Sequence, residues 1–291
     1  MTDHAAGDSS RTTLPAVVGV FGGGRMGAGI AHAFVSAGSQ VVVVESSVEA
    51  ADAARTRVAG SLDKAADRGT LGVTPEAARA AYRVTTDAAD LVDATLVVEA
   101  VPEDVELKRR VFATVEGAAP GTVLATNTSS LSIDAIADAL TRPERLIGLH
   151  FFNPVPVSDL VEVVVGARTD PALVATARGW VESLGKTGIT VTDAPGFASS
   201  LLGVAIALEA MRMLEEGVAS AQDIDTAIVL GYRHPVGPLR TTDVVGLDVR
   251  LAIAEHLAQE VGPRFEPPKV LRDKVARGEL GRKTGKGFYD W

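Results

Sequence analysis

Apolar and polar positions along residues 16–192 follow two alternating patterns. Short unbroken apolar runs, such as 16–21 and the valines at 41–44, are typical of strands that are covered on both faces. Similar runs predict strands at 82–85, 95–99, 122–126, 145–150, 160–165 and 188–191. Helical spacing or alanine-rich composition predicts helices between several of them, at 26–37, 48–68, 104–116, 134–140 and 171–184. Strands that alternate with helices predict βαβ units and a parallel sheet.

The pattern changes after residues 193–196. From Phe197 onward no segment has a convincing strand pattern, and helices are expected at 198–216, 220–230, 243–261 and 268–277. A length of 291 residues suits two domains. We therefore predict a flexible polar tail at 1–15, an α/β domain at 16–192 and an all-helical domain at 193–291.

The first helix expected in the second domain, at 198–216, is apolar on nearly every face. A helix of this kind must be buried on every face. Because a domain as small as 193–291 can hardly bury such a helix alone, we expect a homodimer formed through the C-terminal domain.

Amino-acid composition and net charge exclude several classes of functional site and partner. Hydrophobic residues make up 46% of the chain, which suits a folded protein with a sizeable core. The absence of cysteine excludes disulfides, thiolate metal sites, iron–sulfur clusters and a catalytic thiol, and we expect no metal site. A formal charge of -9 disfavours nucleic acid as a partner. No apolar run approaches the ~20 residues of a membrane span, and the N-terminus lacks the apolar segment of a signal peptide. We therefore expect a cytoplasmic protein that makes no membrane contact.

A glycine-rich turn lies between the first predicted strand and the first predicted helix. It fits the pattern G-x-G-x-x-G, and its residues are Gly22, Gly23, Gly24, Arg25, Met26 and Gly27. Such glycines permit a tight turn, let the backbone approach a pyrophosphate and let helix and strand pack closely. Glu45 closes the second strand, where a carboxylate accepts hydrogen bonds from both ribose hydroxyls and repels a 2′-phosphate. The sequence thus predicts a Rossmann-type dinucleotide-binding domain that takes NAD rather than NADP.

Of the five histidines, His150 ends a predicted strand and precedes a rigid aromatic and proline loop at 151–156. Ligands of open α/β sheets bind at the carboxyl ends of strands, so a catalytic base is expected here. Glu162 lies within the apolar run 160–165, where a carboxylate is costly unless it has a partner. A His–Glu pair is what general-base chemistry near neutral pH requires. The alternative for Glu162 is a solvent-facing charge on an edge strand.

The polar loop at 126–130 follows another predicted strand and opens onto the same edge of the sheet. Its hydroxyl and amide groups either hold a substrate oxygen or cap the helix that follows, and for Ser130 and Ser132 we favour the cap. The chain has no G-x-S-x-G turn, so a serine nucleophile is not expected.

Several motifs recur in this order in one family. They are the glycine turn at 22–27, Asn-Thr-Ser-Ser at 127–130, Gly-Leu-His-Phe-Phe-Asn-Pro at 148–154, Pro-Gly-Phe at 195–197 and Gly-Arg-Lys-Thr-Gly-Lys-Gly-Phe-Tyr at 281–289. Through them the chain resembles the L-3-hydroxyacyl-CoA dehydrogenases, and in particular the short bacterial 3-hydroxybutyryl-CoA dehydrogenases, from about Val17 to Tyr289. The resemblance implies reversible NAD-dependent oxidation of a (3S)-3-hydroxyacyl-CoA, with an acyl-CoA as the small-molecule partner.

The same resemblance implies roles for single residues. His150 takes the proton of the 3-hydroxyl as hydride leaves C3 for the nicotinamide, and Glu162 orients the imidazole and stabilises its charged form. The other matching positions are Ser129 for substrate and cofactor, Glu103, Lys108, Asn153 and Lys283 for the cofactor, and Ser61 and Arg68 for the CoA moiety. Two helical turns put Ser61 and Arg68 on one face, although Arg68 has the alternative of an exposed helix charge.

One segment departs from the family pattern. After 195–197 the family commonly carries Asn-Arg where this chain has Ser200 and Leu201. The asparagine helps to hold the substrate near the base. Ser200 is shorter but still donates a hydrogen bond, so we count it among the catalytic residues. Leu201 cannot replace the charge of an arginine. The departure leaves the acyl substrate open while the dehydrogenase chemistry is retained.

Other functions remain open at this point. The same chemistry acts equally on a hydroxyacyl group carried by an acyl carrier protein, or on a free hydroxy acid or sugar acid. An NAD-binding protein with a structural or sensory role is a further alternative, but it has no need for a charge within the strand of Glu162. A P-loop nucleotide hydrolase is excluded because no Gly-Lys-Ser/Thr follows the glycines.

Overall fold

In the computed structural model, residues 13–291 are described, and the chain divides into two compact units, one ending at Ala194 and one comprising Pro195–Trp291. The predicted tail at 1–15 lies for the most part outside the described residues. Of its last residues, Pro15 is buried, and its carbonyl oxygen accepts a hydrogen bond from the hydroxyl of Ser39 at 2.8 Å. The chain is therefore anchored to the first unit from Pro15 onward.

The first unit is built on an eight-stranded sheet with the order β3-β2-β1-β4-β5-β6-β7-β8. Its strands are β1 Val17–Phe21, β2 Gln40–Val44, β3 Tyr82–Thr85, β4 Leu96–Glu99, β5 Val123–Thr126, β6 Leu146–Phe151, β7 Leu160–Val165 and β8 Thr187–Thr192. The strand order reverses between β1 and β4, and α/β sheets of this kind bind their ligands at such a point. The predicted strands are confirmed, and their ends differ from the observed ones by no more than one residue.

The prediction of a parallel sheet is wrong at one junction. Strands β6 and β7 pair antiparallel, whereas β7 and β8 pair in parallel. Only residues 152–159 join β6 to β7, and a parallel pair requires a crossover of a dozen or more residues. The chain therefore turns back on itself, and this reversal sets His150 directly opposite Glu162 in the register of the two strands.

Helices pack around this sheet. They are α1 Arg25–Ser36, α2 Val48–Asp67, α3 Pro75–Ala80, α4 Val105–Ala118, α5 Ile133–Ala137 and α6 Pro171–Ser183. Ser47, Thr74, Asp104 and Ser132 begin α2 to α5, and each accepts a hydrogen bond from a first-turn amide through its side chain. The sequence pattern does not predict α3, because its six residues are too few to show a helical period.

The buried core of the first unit explains the apolar runs. Val20 of β1, Val43 of β2 and Val98 of β4 are fully buried, together with Ile30 and Phe34 of α1. Strands covered on both faces need no alternation of polar and apolar residues, and the runs of valine show none.

The second unit is helical. Its helices are α7 Ser199–Glu215, α8 Ala221–Tyr232, α9 Pro238–Val245, α10 Leu247–Glu260 and α11 Lys269–Ala276. The single helix predicted at 243–261 is wrong, because Gly246 has a φ of 108° and separates α9 from α10. In the part of the chain that the structure describes, no helix is both long and apolar enough to cross a membrane.

Two buried carboxylates hold the end of the chain in the second unit. Asp243 accepts hydrogen bonds from the backbone nitrogens of Phe288 and Tyr289 and from the indole Nε1 of Trp291, at 2.8, 2.9 and 2.8 Å. Asp225 accepts a hydrogen bond from the Tyr289 hydroxyl at 2.7 Å. Burial and the bond to Asp225 raise the pKa of Tyr289 well above its usual range. The C-terminal segment is therefore an integral part of the helical unit.

Candidate active site

His150 and Glu162 form a buried pair across β6 and β7. The imidazole Nδ1 lies 2.7 Å from Glu162 Oε2, and the carboxylate side chain is 0% exposed. Glu162 is therefore not a solvent-facing charge, and β7, flanked by β6 and β8, is not an edge strand. A carboxylate in this position holds the proton on Nδ1, which makes Nε2 the basic nitrogen of the ring. The pair has the arrangement of a general base.

Two neighbours hold the strand end that carries the base. The ring of Phe152 packs against the imidazole of His150, with centroids 4.5 Å apart and planes tilted by 45°. Asn127, which directly follows β5, accepts a hydrogen bond through Oδ1 from the backbone nitrogen of Phe151 at 2.9 Å. The Asn127 carboxamide thus ties the loop after β5 to the strand end beside the base.

Glu103 holds the loop that contains Ser129. Its Oε1 accepts hydrogen bonds from the Thr128 hydroxyl, from the backbone nitrogens of Ser129 and Ser130 at 2.9 and 3.2 Å, and from the Ser130 hydroxyl at 3.1 Å. The cap expected at Ser132 is confirmed, because its side chain accepts a hydrogen bond from the first turn of α5. The cap expected at Ser130 is wrong, since that hydroxyl donates to Glu103 instead.

A buried ion pair lies behind this loop. Lys108 Nζ is 2.7 Å from Glu99 Oε1, with side-chain exposures of 1% and 0%, and 3.2 Å from Glu103 Oε2. Glu99 Oε2 accepts a hydrogen bond from the Thr126 hydroxyl at 2.7 Å. Burial raises the pKa of Glu99, although the Lys108 ammonium opposes it. Burial also acts to raise the pKa of Glu103, but Lys108 and the hydrogen bonds from the loop hold that pKa below its usual value.

The glycine turn leaves room for a phosphate. Gly22 has a φ of 94°, and a Cβ added to Gly27 would lie 1.8 Å from the carbonyl oxygen of Gly22. A Cβ added to Gly24 would meet no protein atom within 4 Å, so this backbone faces open space at the start of α1. Glu45 follows β2, and its Oε1 accepts a hydrogen bond from the Gly23 nitrogen at 2.6 Å. The turn and the acidic residue predicted to serve one dinucleotide therefore touch each other.

A basic cavity of about 1010 Å³ lies in the first unit between α1, α2 and the loops at 153–157 and 183–186. Ser61 and Arg68, predicted to share a face of α2, both line it. None of the described residues around it is acidic, and its cationic side chains are Arg25, Arg57, Lys64, Arg68 and Lys186. The cavity is therefore suited to an anionic ligand.

His32 forms part of the wall of this cavity. Its Nδ1 lies 2.8 Å from the Ser61 hydroxyl oxygen, and the residue is 5% exposed. Burial lowers the pKa of His32, and the positive charge of Lys186 lowers it further. A neutral His32 thus positions the hydroxyl of Ser61 at the cavity.

The remaining predicted residues are distributed over both units. In the first unit Arg25 and Met26 begin α1, and Asn153 lines the basic cavity. In the helical unit Ser200 lies in the first turn of α7, and Lys283 Nζ is paired with Asp248 at 2.6 and 2.7 Å. Residues 13–291 contain no cluster of acidic and histidine side chains that could hold a metal ion.

Sequence reasoning misses Glu99 and His32 as parts of the site, and it does not predict the contact that Asn127 makes. Glu99 ends an apolar strand run, which is the same signal that marks Glu162, but a charge at a strand end is equally typical of a solvated one. The sequence makes the Asn127 amide a candidate for holding a substrate oxygen, whereas in the structure its Oδ1 accepts a hydrogen bond from the backbone nitrogen of Phe151. His32 occupies a helix position that is typical of core packing, and nothing in its own spacing indicates Ser61.

Comparison with known proteins assigns both units to one family. A profile described as 3-hydroxyacyl-CoA dehydrogenase, NAD binding domain, matches residues 17–194, and the profile of the C-terminal domain matches residues 196–291. A 3-hydroxybutyryl-CoA dehydrogenase of Mycobacterium tuberculosis is 42% identical over 279 residues, which cover 94% of this chain and 98% of that protein. The mitochondrial hydroxyacyl-coenzyme A dehydrogenase of Sus scrofa is 38% identical over 301 residues, with coverages of 100% and 96%. The crystal structure of a (S)-3-hydroxybutyryl-CoA dehydrogenase from Ralstonia eutropha gives a TM-score of 0.90 at 38% identity, covering 96% of this chain and 99% of that one.

Proposed function

The chain belongs to the 3-hydroxyacyl-CoA dehydrogenase family, and we propose on this premise that it acts on a short-chain substrate such as (3S)-3-hydroxybutyryl-CoA, with His150 as general base and Glu162 as its orienting partner. The family membership confirms the predicted Rossmann-type domain, NAD as cofactor and the oxidation of a 3-hydroxyacyl-CoA. The observation that carries the assignment of the base is the 2.7 Å contact between His150 Nδ1 and Glu162 Oε2.

The reaction needs one proton acceptor at the 3-hydroxyl. In the oxidation the O–H proton moves to Nε2 of His150, the C3–O bond becomes a carbonyl and the hydrogen on C3 leaves as hydride. NAD, when bound, accepts that hydride. The buried carboxylate of Glu162 keeps the imidazole in one tautomer and stabilises the imidazolium that forms. In the reverse direction the imidazolium returns its proton to the substrate oxygen.

The fit of NAD to this chain rests on the glycine turn. The backbone at Gly24 faces open space and the N-terminus of α1 directs free N–H groups there, which suits a pyrophosphate. Glu45, in contact with the Gly23 amide, would accept hydrogen bonds from the ribose hydroxyls. Glu103 and Lys108 would act on the cofactor by holding the loop of Ser129, and Asn153 and Lys283 are further candidate contacts.

Replacing the base tests the catalytic assignment. We expect His150→Gln to lower kcat for acetoacetyl-CoA reduction by at least ~10², because a general base contributes about this much. NADH binding, followed by nucleotide fluorescence, should persist, since the histidine lies outside the glycine turn. Near-full activity of His150→Gln would contradict the assignment. Glu162→Gln should shift or flatten the pH–rate profile, because the imidazolium would lose its buried counter-charge.

The CoA moiety is assigned to the basic cavity. Ser61, oriented by His32, and Arg68 would contact it, and Lys64 and Lys186 would add to the positive charge that attracts its phosphates. We expect Arg68→Met to raise KM for acetoacetyl-CoA several-fold with little change in kcat. Arg178→Met is the matched control, because Arg178 is an exposed arginine of α6 that does not line the cavity. A larger effect of the control than of Arg68→Met would contradict this site.

Substrate controls decide between the carriers. Reduction of acetoacetyl-CoA but not of free acetoacetate or a sugar-derived keto acid supports the thioester substrate. Faster reduction of the same acyl group on an acyl carrier protein would replace CoA by that carrier. NADH binding without turnover of any of them would indicate a binding protein instead.

A homodimer through the helical unit is part of the same proposal. This unit exposes a set of large apolar side chains, namely Leu202, Ile206, Val218, Leu230, Tyr232, Val236, Val244, Val245 and Val249. Covering part of this set with a second copy would remove apolar surface from water, which favours association. Size-exclusion chromatography with light scattering at micromolar concentration should give twice the 30.1 kDa chain mass. A monomer would contradict the proposal.

A further inference from the structure

His32 of α1 is a buried histidine that has one bonded and one unbonded ring nitrogen. Its Nδ1 lies 2.8 Å from the Ser61 hydroxyl oxygen, and the residue is 5% exposed. No group of residues 13–291 forms a hydrogen bond with Nε2. Among the buried and half-buried residues of this range, Arg250 Nε is the one fully enclosed polar side-chain atom without a partner, so Nε2 of His32 is not enclosed. Because His32 lines the basic cavity, this open nitrogen faces the cavity.

The charges around His32 are all positive. The charged side chains that line the cavity are Arg25 of α1, Arg57, Lys64 and Arg68 of α2, and Lys186 just before β8. The lining segments at 70–72 and 153–157 contribute no titratable side chain. In the free protein, burial and the Lys186 ammonium lower the pKa of His32, so the ring is neutral near neutral pH. An anion bound among these cations would offset their charge and favour the imidazolium.

Protonation of His32 would change what Ser61 offers to a ligand. In the imidazolium both ring nitrogens are N–H donors. Nδ1 then donates to the Ser61 oxygen, which leaves the Ser61 hydroxyl free to donate its own proton to a ligand in the cavity. Nε2 supplies a second donor, and this one carries charge. The protonated pair therefore suits an anionic oxygen.

We propose that His32 and Ser61 bind a phosphate oxygen of the CoA moiety, and that His32 takes up a proton from the solvent as this phosphate binds. The inference rests on the proposed function, which assigns the CoA moiety to the basic cavity. A phosphate monoester such as the 3′-phosphate of CoA carries a charge of about −1.5 to −2, and the diphosphate of CoA is also anionic. Either group supplies the required oxygen. The proton returns to the solvent when CoA dissociates.

The affinity for CoA should therefore increase as the pH falls. The bound phosphate raises the pKa of His32 above its value in the free protein, so the complex binds this proton more readily than the free protein does. Between these two pKa values the affinity rises by at most ~10-fold per pH unit, the limit for one proton. Above the pKa of the complex, His32 is neutral in both states and contributes no pH dependence.

Isothermal titration calorimetry with CoA tests this coupling without turnover. CoA itself carries no acyl group, so its binding requires no proton at His150. Heats of binding in two buffers of different ionisation enthalpy give the number of protons taken up. We expect the unmodified protein to take up a larger fraction of a proton than His32→Gln at pH ~6, and the difference to vanish at pH ~8. His256→Gln, at a histidine of the helical unit, should match the unmodified protein.

Dephospho-CoA identifies which phosphate the pair binds. It lacks the 3′-phosphate, whose own pKa of about 6 adds to the proton count of CoA. The remaining diphosphate does not titrate near neutral pH, so any uptake with dephospho-CoA belongs to the protein. Uptake that depends on His32 with both ligands assigns the pair to the diphosphate. Uptake that depends on His32 with CoA alone assigns it to the 3′-phosphate.

A second readout does not depend on the folding of His32→Gln. In NMR spectra of the unmodified protein with ¹³C-labelled histidine, CoA should raise the pKa of His32, one of five histidines. Substitutions of the other four assign its signal by elimination. Equal proton uptake in unmodified and His32→Gln proteins, or CoA binding with no change in the pKa of His32, overturns the proposal and leaves the proposed function in place. If the unmodified protein does not bind CoA, the assignment of the CoA moiety to the cavity fails, and this proposal fails with it.

Discussion

The protonation of a single side chain, His32, is set by the place that the fold gives it. It lies at the wall of a cavity with several cations and makes its one described side-chain contact with the Ser61 hydroxyl. Burial and the Lys186 ammonium both disfavour the imidazolium, so the folded protein binds this proton less readily than the unfolded chain does. Stability therefore rises with pH through the range below the ordinary histidine pKa of about 6.5.

The substitution His32→Gln tests this linkage. The contribution of His32 is fully present above pH ~6.5 and is lost as the pH falls, by at most about 1.4 kcal/mol per pH unit. Urea unfolding at pH 7.5 and at pH 5.5 should show a larger loss of the free energy of unfolding in the unmodified protein than in His32→Gln. His256→Gln, on the helical unit, is the histidine control. Identical pH dependence in unmodified and His32→Gln proteins would contradict a lowered pKa.

The sequence predicts the partner of one buried carboxylate but not that of another. The sequence predicts that Glu162 needs a cationic partner because the run around it is apolar on both sides, and His150 is its nearest candidate. Glu99 also follows an apolar run and needs a cationic partner. Because a charge at the end of a strand is equally typical of an exposed one, the sequence does not predict that Glu99 is buried. Its partner Lys108 lies on α4, and only the packing of that helix against the sheet shows that both are buried.

At the scale of elements, the glycine turn between β1 and α1 requires glycine at two positions for two different reasons. At Gly27 the constraint is internal, since a Cβ would lie 1.8 Å from the Gly22 carbonyl oxygen. At Gly24 it concerns the ligand alone, since a Cβ would meet no protein atom within 4 Å. Gly27→Ala should therefore lower both Tm and NADH affinity, whereas Gly24→Ala should weaken NADH binding at an unaltered Tm. Thermal melts and NADH fluorescence titrations measure both. A Tm loss in Gly24→Ala that equals the loss in Gly27→Ala would contradict this division.

The pair Glu99–Lys108 connects β4 to α4 and, through Glu103, to the loop after β5. Removing one partner deprives the other of its buried counter-charge at 2.7 Å, and breaking a buried pair in this way costs about 3–5 kcal/mol. We expect Glu99→Gln and Lys108→Met each to lower the free energy of unfolding by up to this amount. The double variant should be much less destabilised than the sum, because neither fully buried charge then remains, and Glu103 keeps its hydrogen bonds from the loop. Additive losses in urea unfolding would show that the two side chains are not coupled.

A strand or helix is predictable from the sequence where its own hydrophobic pattern is sufficient to specify it. The valines of β2 specify a buried strand without reference to any other segment. The direction of β7 depends instead on the length of the connection from β6, and the break between α9 and α10 depends on the positive φ of Gly246. Hydrophobic periodicity carries neither kind of information, so both features appear only in the structure.

At the scale of the whole molecule, the chain has two units with separate cores. Val20, Phe34 and Trp180 belong to the core of the first unit, and Leu208 and Leu257 to that of the second. The change of pattern near residue 193 predicts two domains because the alternation of strands and helices stops there. It does not predict that Asp243 and Asp225 fasten the last residues of the chain, because those contacts join segments more than 40 residues apart.

Asp243→Asn tests whether the two units unfold independently of each other. Asparagine keeps one acceptor of the carboxylate but replaces the other by a donor that faces N–H groups, so we expect the free energy of unfolding of the helical unit to fall by about 2–4 kcal/mol. The two tryptophans provide separate reporters, Trp180 in the first core and Trp291 in the fastened segment. In a Trp180→Phe background the fluorescence of Trp291 should show a lowered urea midpoint, whereas in a Trp291→Phe background Trp180 should shift little. Asp290→Asn, an exposed carboxylate of the same segment, is the control and should leave both midpoints in place. Equal shifts at both tryptophans would mean that the units unfold as one cooperative system, and the separate cores would then not be independent in stability.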